Sequence, residues 1–180
     1  MKSLQRKAIL TVLTEKLRDN GNWCGETHLQ KAVYCLTDFL DLSMDFDFIL
    51  YKHGPYSFDL RDELTSMRAD DLLKLEPQAP PYGPKIITTE QGRNFTKNFP
   101  KTLEKYNRQL EFIAEKLSDK GVSELERLAT ALYVTKRIKT DCSIEERASE
   151  LIRIKPHITP ELAREAIEEV DKVIEGAKGF

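Results

Sequence analysis

Along most of the chain, apolar residues return every three or four positions, and where that rhythm stops the residues turn aromatic, β-branched or proline-rich. Leu4, Leu10, Leu13 and Leu17 lie near one stripe, with Ile9 and Val12 beside it, and predict a first helix from about Ser3 to Asp19. Asn20-Gly21-Asn22 ends it, because Gly and Asn tolerate the left-handed backbone that closes a helix. Leu29, Val33, Leu36 and Leu40 predict a second helix from about Glu26 to Asp41. Phe46 to Tyr51 has no helical period and reads as extended chain, broken by Lys52-His53-Gly54-Pro55. Ser57 stands at an N-cap position before Phe58, Leu60, Leu64 and Met67, which mark a short third helix.

Two strands follow, Leu72 to Glu76 and Lys85 to Thr89, separated by a proline-rich stretch, Pro77 to Pro84, that excludes regular structure. They form a long-tipped hairpin, closed by Thr89-Glu90-Gln91-Gly92-Arg93 leading into another helix. In the second half Leu103, Tyr106, Leu110, Ile113 and Leu117 form a heptad-like seam on a helix from about Pro100 to Asp119. Ser123 to Glu126 reads as a capping box for a helix reaching about Ile138, and Ser143 to Glu146 as a second box for one reaching about Ile154. Thr159-Pro160 opens the last helix, to about Glu175.

Three helices and then a two-stranded hairpin is the order of a winged helix, in which the third helix and the hairpin tip usually meet DNA. The expected fold is therefore α+β and mostly α: a winged-helix N-terminal half, residues 1–96, with a helical C-terminal half, residues 97–180, packed on it.

Charge changes the picture of the partner. Residues 1–96 hold 12 Lys/Arg against 14 Asp/Glu, a net of −2, and residues 97–180 hold 16 of each. Neither half is a basic module, so DNA binding would need a local patch. The third helix carries Asp59, Asp62, Glu63, Asp70 and Asp71 against Arg61 and Arg68, which disfavours a phosphate backbone, although Arg61 can reach a guanine edge. Lys97, Lys101, Lys105 and Arg108 share one face of the long helix and form a candidate nucleic-acid-binding ridge. Glu104, Glu111 and Glu115 lie beside it, with Glu104 placed to pair with Arg108, so a salt-bridged solvent face competes with that reading.

Cys24, Cys35 and Cys142 are odd in number and in no ligand spacing, which disfavours a disulfide framework or zinc site, and no cofactor is expected. No stretch has the run of apolar residues that a membrane span needs, and the N-terminal segment does not read as a signal peptide, so a cytoplasmic location without a membrane partner is expected. For catalysis, only Cys24, Glu26 and His28 lie close together, with no supporting motif or phosphate-binding glycine loop, and a non-enzyme is expected.

The words Leu29-Gln30-Lys31, Phe48-Ile49-Leu50-Tyr51-Lys52-His53-Gly54-Pro55-Tyr56-Ser57 and Thr88-Thr89-Glu90-Gln91-Gly92 resemble the YwgA-like, phage-associated proteins, relatives of the Panacea group with its SocA-like antitoxins. Glu126 to Tyr133 and Lys155 to Thr159 extend the resemblance over most of the chain. For the Panacea group it implies toxin neutralisation or adaptor activity and no known chemistry; from the YwgA-like branch no function carries over.

The reading is a non-catalytic, antitoxin-like or adaptor-like protein-interaction module associated with mobile elements, whose partner is a protein such as a toxin. Lys52, His53, Tyr56, Arg61 and the hairpin-tip Tyr82 are its candidate contacts. Within His53 to Ser57 a purely structural role competes: Gly and Pro make the bend, Ser57 caps the helix and Tyr56 packs as a staple. The alternative is a winged-helix transcriptional regulator, homodimeric through the Leu103–Leu117 seam, though that seam also serves as internal core. An enzyme of unknown chemistry is the remaining alternative.

Overall fold

Helix α1 (Ser3–Asp19) and helix α2 (Glu26–Leu40) form where the three-four spacing places them in the computed structural model, which describes residues 1–80 and 82–180. The chain is α+β and mostly helical. Helix α1 is buried beyond its apolar stripe: Thr11 and Thr14 are fully enclosed, and their hydroxyls donate to the Lys7 and Leu10 carbonyls at 2.8 Å. Leu4 is the exception, 56% exposed, because the stripe meets the core only from the second turn onward.

The segment from Phe46 to Tyr51, expected to be strand-like or extended, contains a strand over its last three residues. Only strand β1 (Ile49–Tyr51) pairs, and it turns back at once on β2 (Gly54–Tyr56), with Leu50 opposite Pro55. The stretch expected only to break the chain thus supplies a strand. Ser57 then caps α3 (Phe58–Ala69), its Oγ accepting the Leu60 N–H at 3.2 Å. Strands β3 (Leu73–Glu76) and β4 (Lys85–Thr88) pair antiparallel, Leu73 opposite Thr88, and the Ile86 N–H donates to the Cys24 carbonyl at 2.8 Å, tying the hairpin to the α1–α2 turn.

Thr89 closes the hairpin in two ways. Its Oγ1 accepts the Gly92 N–H, capping α4 (Glu90–Thr96), and its hydroxyl donates to the Asp71 carbonyl. Gly92 packs directly against the chain before β3: an added Cβ would stand 2.2 Å from the Leu72 carbonyl oxygen. Gly92→Ala is expected to cost about 1–3 kcal/mol through forced backbone displacement. Urea denaturation with an unchanged midpoint would show that α4 does not dock this tightly.

Helix α5 (Pro100–Leu117) lays Leu110, Ile113 and Leu117 into the core against α1 and α2, so the expected seam is spent inside the molecule. Helix α6 (Val122–Tyr133) starts two residues earlier than expected. Gly121 is its N-cap, and the Glu124 carboxylate reaches back to the Gly121 N–H at 2.9 Å, so Ser123 lies inside the first turn. Its last turn, expected to be α-helical to Ile138, is a π-helical turn (Val134–Ile138). From that turn Arg137 pairs with Asp38 on α2 at 3.0 Å and lies over the rings of Tyr34 and Tyr133. Ser143 and Glu146 form the expected reciprocal cap of α7 (Ile144–Ile154), and Thr159 caps α8 (Pro160–Ala177). Buried Leu13, Leu36 and Leu60 belong to one hydrophobic cluster with Leu110, Leu128 and Ile167. No helix among the described residues is long and apolar enough to cross a membrane.

Candidate functional site

The segment His53 to Ser57 is held from three sides. From α2, Gln30 binds the Ser57 backbone twice, donating Nε2 to its carbonyl at 2.9 Å and accepting its N–H at 3.0 Å. Lys31, only 1% exposed, donates Nζ to the Pro55 carbonyl at 2.7 Å. From the end of α7, buried Lys155 donates to the Lys52 carbonyl and to Glu126 Oε1, each at 2.5 Å. Glu126, on α6, also meets His53 Nδ1 at 3.2 Å. Two ammonium groups and one carboxylate are thus clustered, with backbone carbonyls as further partners: Lys31 makes one hydrogen bond and Lys155 two. Burial alone would raise the Glu126 carboxyl, but hydrogen bonds and charge from Lys155 and His53 hold it below the usual range. Burial pushes Lys31 down to about 8 against the opposing pull of Glu126.

On the outer side of this clamp, β1, β2 and α3 present aromatic surface. Tyr51, Tyr56 and Phe58 pack with ring centroids 5.2–5.8 Å apart, although Tyr51 is 54% and Phe58 41% exposed. Tyr56 does not act as a buried staple: it is half-buried, and its hydroxyl donates to Glu26 Oε1 at 3.0 Å. Beside the aromatics runs a groove of about 260 Å³ between the first turn of α2, the α3 face of Arg61, Leu64, Thr65 and Arg68, and the β3–β4 hairpin. Trp23 and Tyr82 stack at its end, 4.9 Å between centroids, with Lys85 Nζ 4.4 Å above the Trp23 ring. Among the sequence candidates, Tyr56 and Arg61 lie along this surface and Tyr82 at its end. Lys52 and His53 stand apart, exposed at the β1–β2 turn above Glu126.

The acids of α3 are distributed differently from a uniformly negative outer surface. Glu63 turns to Arg6 at 3.4 Å and Asp70 to Lys7 at 2.6 Å, both on α1, while Asp62 pairs with Arg61. The groove-facing side of α3 is therefore cationic and apolar. Lys101, Lys105 and Arg108 are exposed on α5, but Lys97 is the exposed C-cap of α4, cut off from α5 by Asn98-Phe99, so the expected four-residue face of one helix is corrected to three. The expected Glu104–Arg108 pair is not formed: Arg108 lies 5.2 Å over the Phe180 ring, Lys105 over Tyr106, and Glu111 pairs instead with Lys16 of α1. The ridge and the groove are separate surfaces.

Cys24, Glu26 and His28 are neighbours, but their chemistry is muted. Burial pushes the Cys24 thiol up to about 12, and its Sγ lies 3.8 Å from the Thr14 carbonyl. Burial likewise pushes His28 down to about 4, so at neutral pH its ring is uncharged and Nδ1 accepts the Gly25 N–H at 3.3 Å. Because the folded pKa lies below the free value of 6.5, this contribution to stability is complete above about pH 6.5. It is lost as pH falls toward 4, at roughly 1.4 kcal/mol per unit. Denaturant titrations at pH 7 and pH 5 are expected to differ by about 2 kcal/mol more in the parent than in His28→Gln. Parallel pH dependences would show that His28 does not titrate in this window.

Sequence reasoning passed over Trp23, Arg68, Leu75 and Val122, which line the groove. They come from four separate segments with no common motif. The available signal was a lone tryptophan just after a helix stop, and Leu75 and Val122 remain 41% and 46% exposed. Compared with known proteins, the chain matches no protein-family model and no curated protein.

Proposed function

We propose that this protein is a non-catalytic protein-interaction module, antitoxin-like or adaptor-like, whose partner seats in the groove between α2, α3 and the β3–β4 hairpin. The observation that carries the reading is the surface itself: five large apolar side chains, Tyr51, Phe58, Leu75, Tyr82 and Val122, stay exposed on or beside one groove. Solvent-facing aromatics and aliphatics gathered around a concavity, rimmed by arginine, have the composition of an interface core rather than of ordinary surface. Helices α1 to α3 followed by the β3–β4 hairpin read as a winged helix used for protein contact. The resemblance to antitoxin-like proteins supports a toxin or another mobile-element protein as partner, met in the cytoplasm.

The test is purification of the full chain together with the products of its neighbouring genes. A specific complex that survives Lys101→Glu and is lost in Leu75→Asp supports the groove; a complex indifferent to Leu75→Asp removes it. The second reading, a DNA-binding regulator, is favoured by one observation: Lys97, Lys101, Lys105 and Arg108 lie in no ion pair among the described residues. A regulator would shift random duplex DNA at low salt, with affinity falling steeply as salt rises and lost in Lys101→Glu/Lys105→Glu. That outcome would replace the protein-partner reading.

A further inference from the structure

The groove has a polar end whose chemistry narrows what occupies it. The first turn of α2 is capped by Gly25, which has no side chain to accept its N–H groups, and the N–H groups of Glu26, Thr27 and His28 have no acceptor among the described residues. These unsatisfied donors carry the positive end of the helix dipole. A second, independent feature points the same way. His28 is 4% exposed and lines the groove, with Nδ1 used by the Gly25 N–H, so its proton sits on Nε2, which has no acceptor among the described residues. Across from it, Arg68 gives one Nη2 hydrogen bond to Thr65 and no ion pair among the described residues, and Arg61 gives Nε and Nη2 to Asp62.

The residues that carry these donors, Glu26, Thr27, His28, Arg61 and Arg68, all line one hollow. Two carboxylates stand at its rim. Glu26 is tied to the Tyr56 hydroxyl and Asp62 to Arg61, and against these two carboxylates stand Arg61, Arg68 and, at the Trp23 end, Lys85, an excess of one formal positive charge. That balance suits a single negative charge and opposes a dianion such as phosphate. The walls are apolar, Leu64, Leu75, Ile86 and Val122, so the charge must arrive on a chain with apolar flanks.

We propose that this end of the groove is a carboxylate-binding site that takes an acidic side chain of the partner polypeptide, flanked by large apolar residues that fill the groove. The inference rests on the protein-interaction reading and makes it specific. The site works by charge-assisted hydrogen bonding in a partly water-excluded hollow, and a neutral isostere loses that interaction.

Trp23 is the only tryptophan in the chain and stacks at the groove's end, so its emission reports occupancy directly. The experiment titrates the intact protein with two blocked heptapeptides, identical except for a central glutamate or glutamine between two leucines, and with inorganic phosphate. The glutamate peptide is expected to change Trp23 emission saturably and to bind at least about tenfold more tightly than the glutamine peptide. Arg68→Ala is expected to erase that preference while far-UV circular dichroism and the urea midpoint stay as in the parent. Equal binding of both peptides overturns the carboxylate site and leaves the protein-interaction reading standing. No response to either peptide overturns it as well, and complex formation with a neighbouring gene product then judges the broader reading separately. A saturable, Arg68-dependent response to phosphate without a peptide response identifies a small-anion site and also overturns it.

Discussion

Glu126→Ala is expected to lower the unfolding free energy by about 3–5 kcal/mol, seen as a fall in melting temperature on the order of 10 °C. The carboxylate stands between Lys155, whose side chain is 8% exposed, and the His53 ring, and it is the acid that offsets the charge of Lys31 deeper in the cluster. Deleting it leaves two enclosed ammonium groups held only by the Pro55 and Lys52 carbonyls. Hydrogen bonds to neutral acceptors do not replace a counter-charge in a low-dielectric setting. A pH signature accompanies the loss. Burial already places Lys31 near 8, below its free value of 10.5, so a charged Lys31 weakens the fold increasingly as pH falls through that interval. Without Glu126 the folded value drops further, and the deficit of the variant is expected to shrink between pH 7 and pH 9.5. Urea denaturation at the two pH values measures both effects. A deficit under about 1 kcal/mol at pH 7 would mean that the cluster is effectively solvated.

Gly54→Ala is expected to cost about 2–5 kcal/mol, the sum of a left-handed backbone penalty and overpacking. Gly54 has φ +82°, and an added Cβ would stand 2.6 Å from Thr130 Oγ1 on α6. Gly21 supplies the control: its φ is +86° with nothing among the described residues within 4 Å of an added Cβ, so Gly21→Ala should show only the backbone part, roughly 1–2 kcal/mol. The difference between the two measures how closely the β1–β2 turn is pressed onto α6. Thr130→Ala in the Gly54→Ala background should return part of the loss by removing the obstructing hydroxyl. Equal costs at Gly21 and Gly54, or no recovery in the double variant, would place the turn farther from α6 than the structure does.

These two predictions also mark where sequence reading stopped. That Gly54-Pro55 makes a bend is legible in the residues, because φ above zero favours glycine and proline restricts its neighbours. That the bend is a docking point is not legible, since Gln30, Lys31, Glu126, Thr130 and Lys155 reach it from 24 to 103 positions away in the chain. Each of the four on helices, and Lys155 just past the end of α7, looks along the chain like a solvent-facing polar residue. The same holds more strongly for the groove: Tyr56, Arg61 and Tyr82 stand out in the sequence as candidates, while Arg68 reads only as one of two cations on an acidic helix.

What the residues determine alone is local and periodic. Apolar spacing, the caps at Ser57, Thr89, Ser143 and Thr159, and the prolines of the β3–β4 tip place nearly every element, because hydrogen bonds and backbone sterics within a few residues decide them. The tertiary structure alone decided how polar and charged groups pair. It paired Glu63 and Asp70 with Arg6 and Lys7 of α1, left Arg68 facing a groove, drew Arg108 onto Phe180, and replaced the last turn of α6 by a π turn. Electrostatic partners are chosen by distance in space, which the order of residues along a chain does not contain.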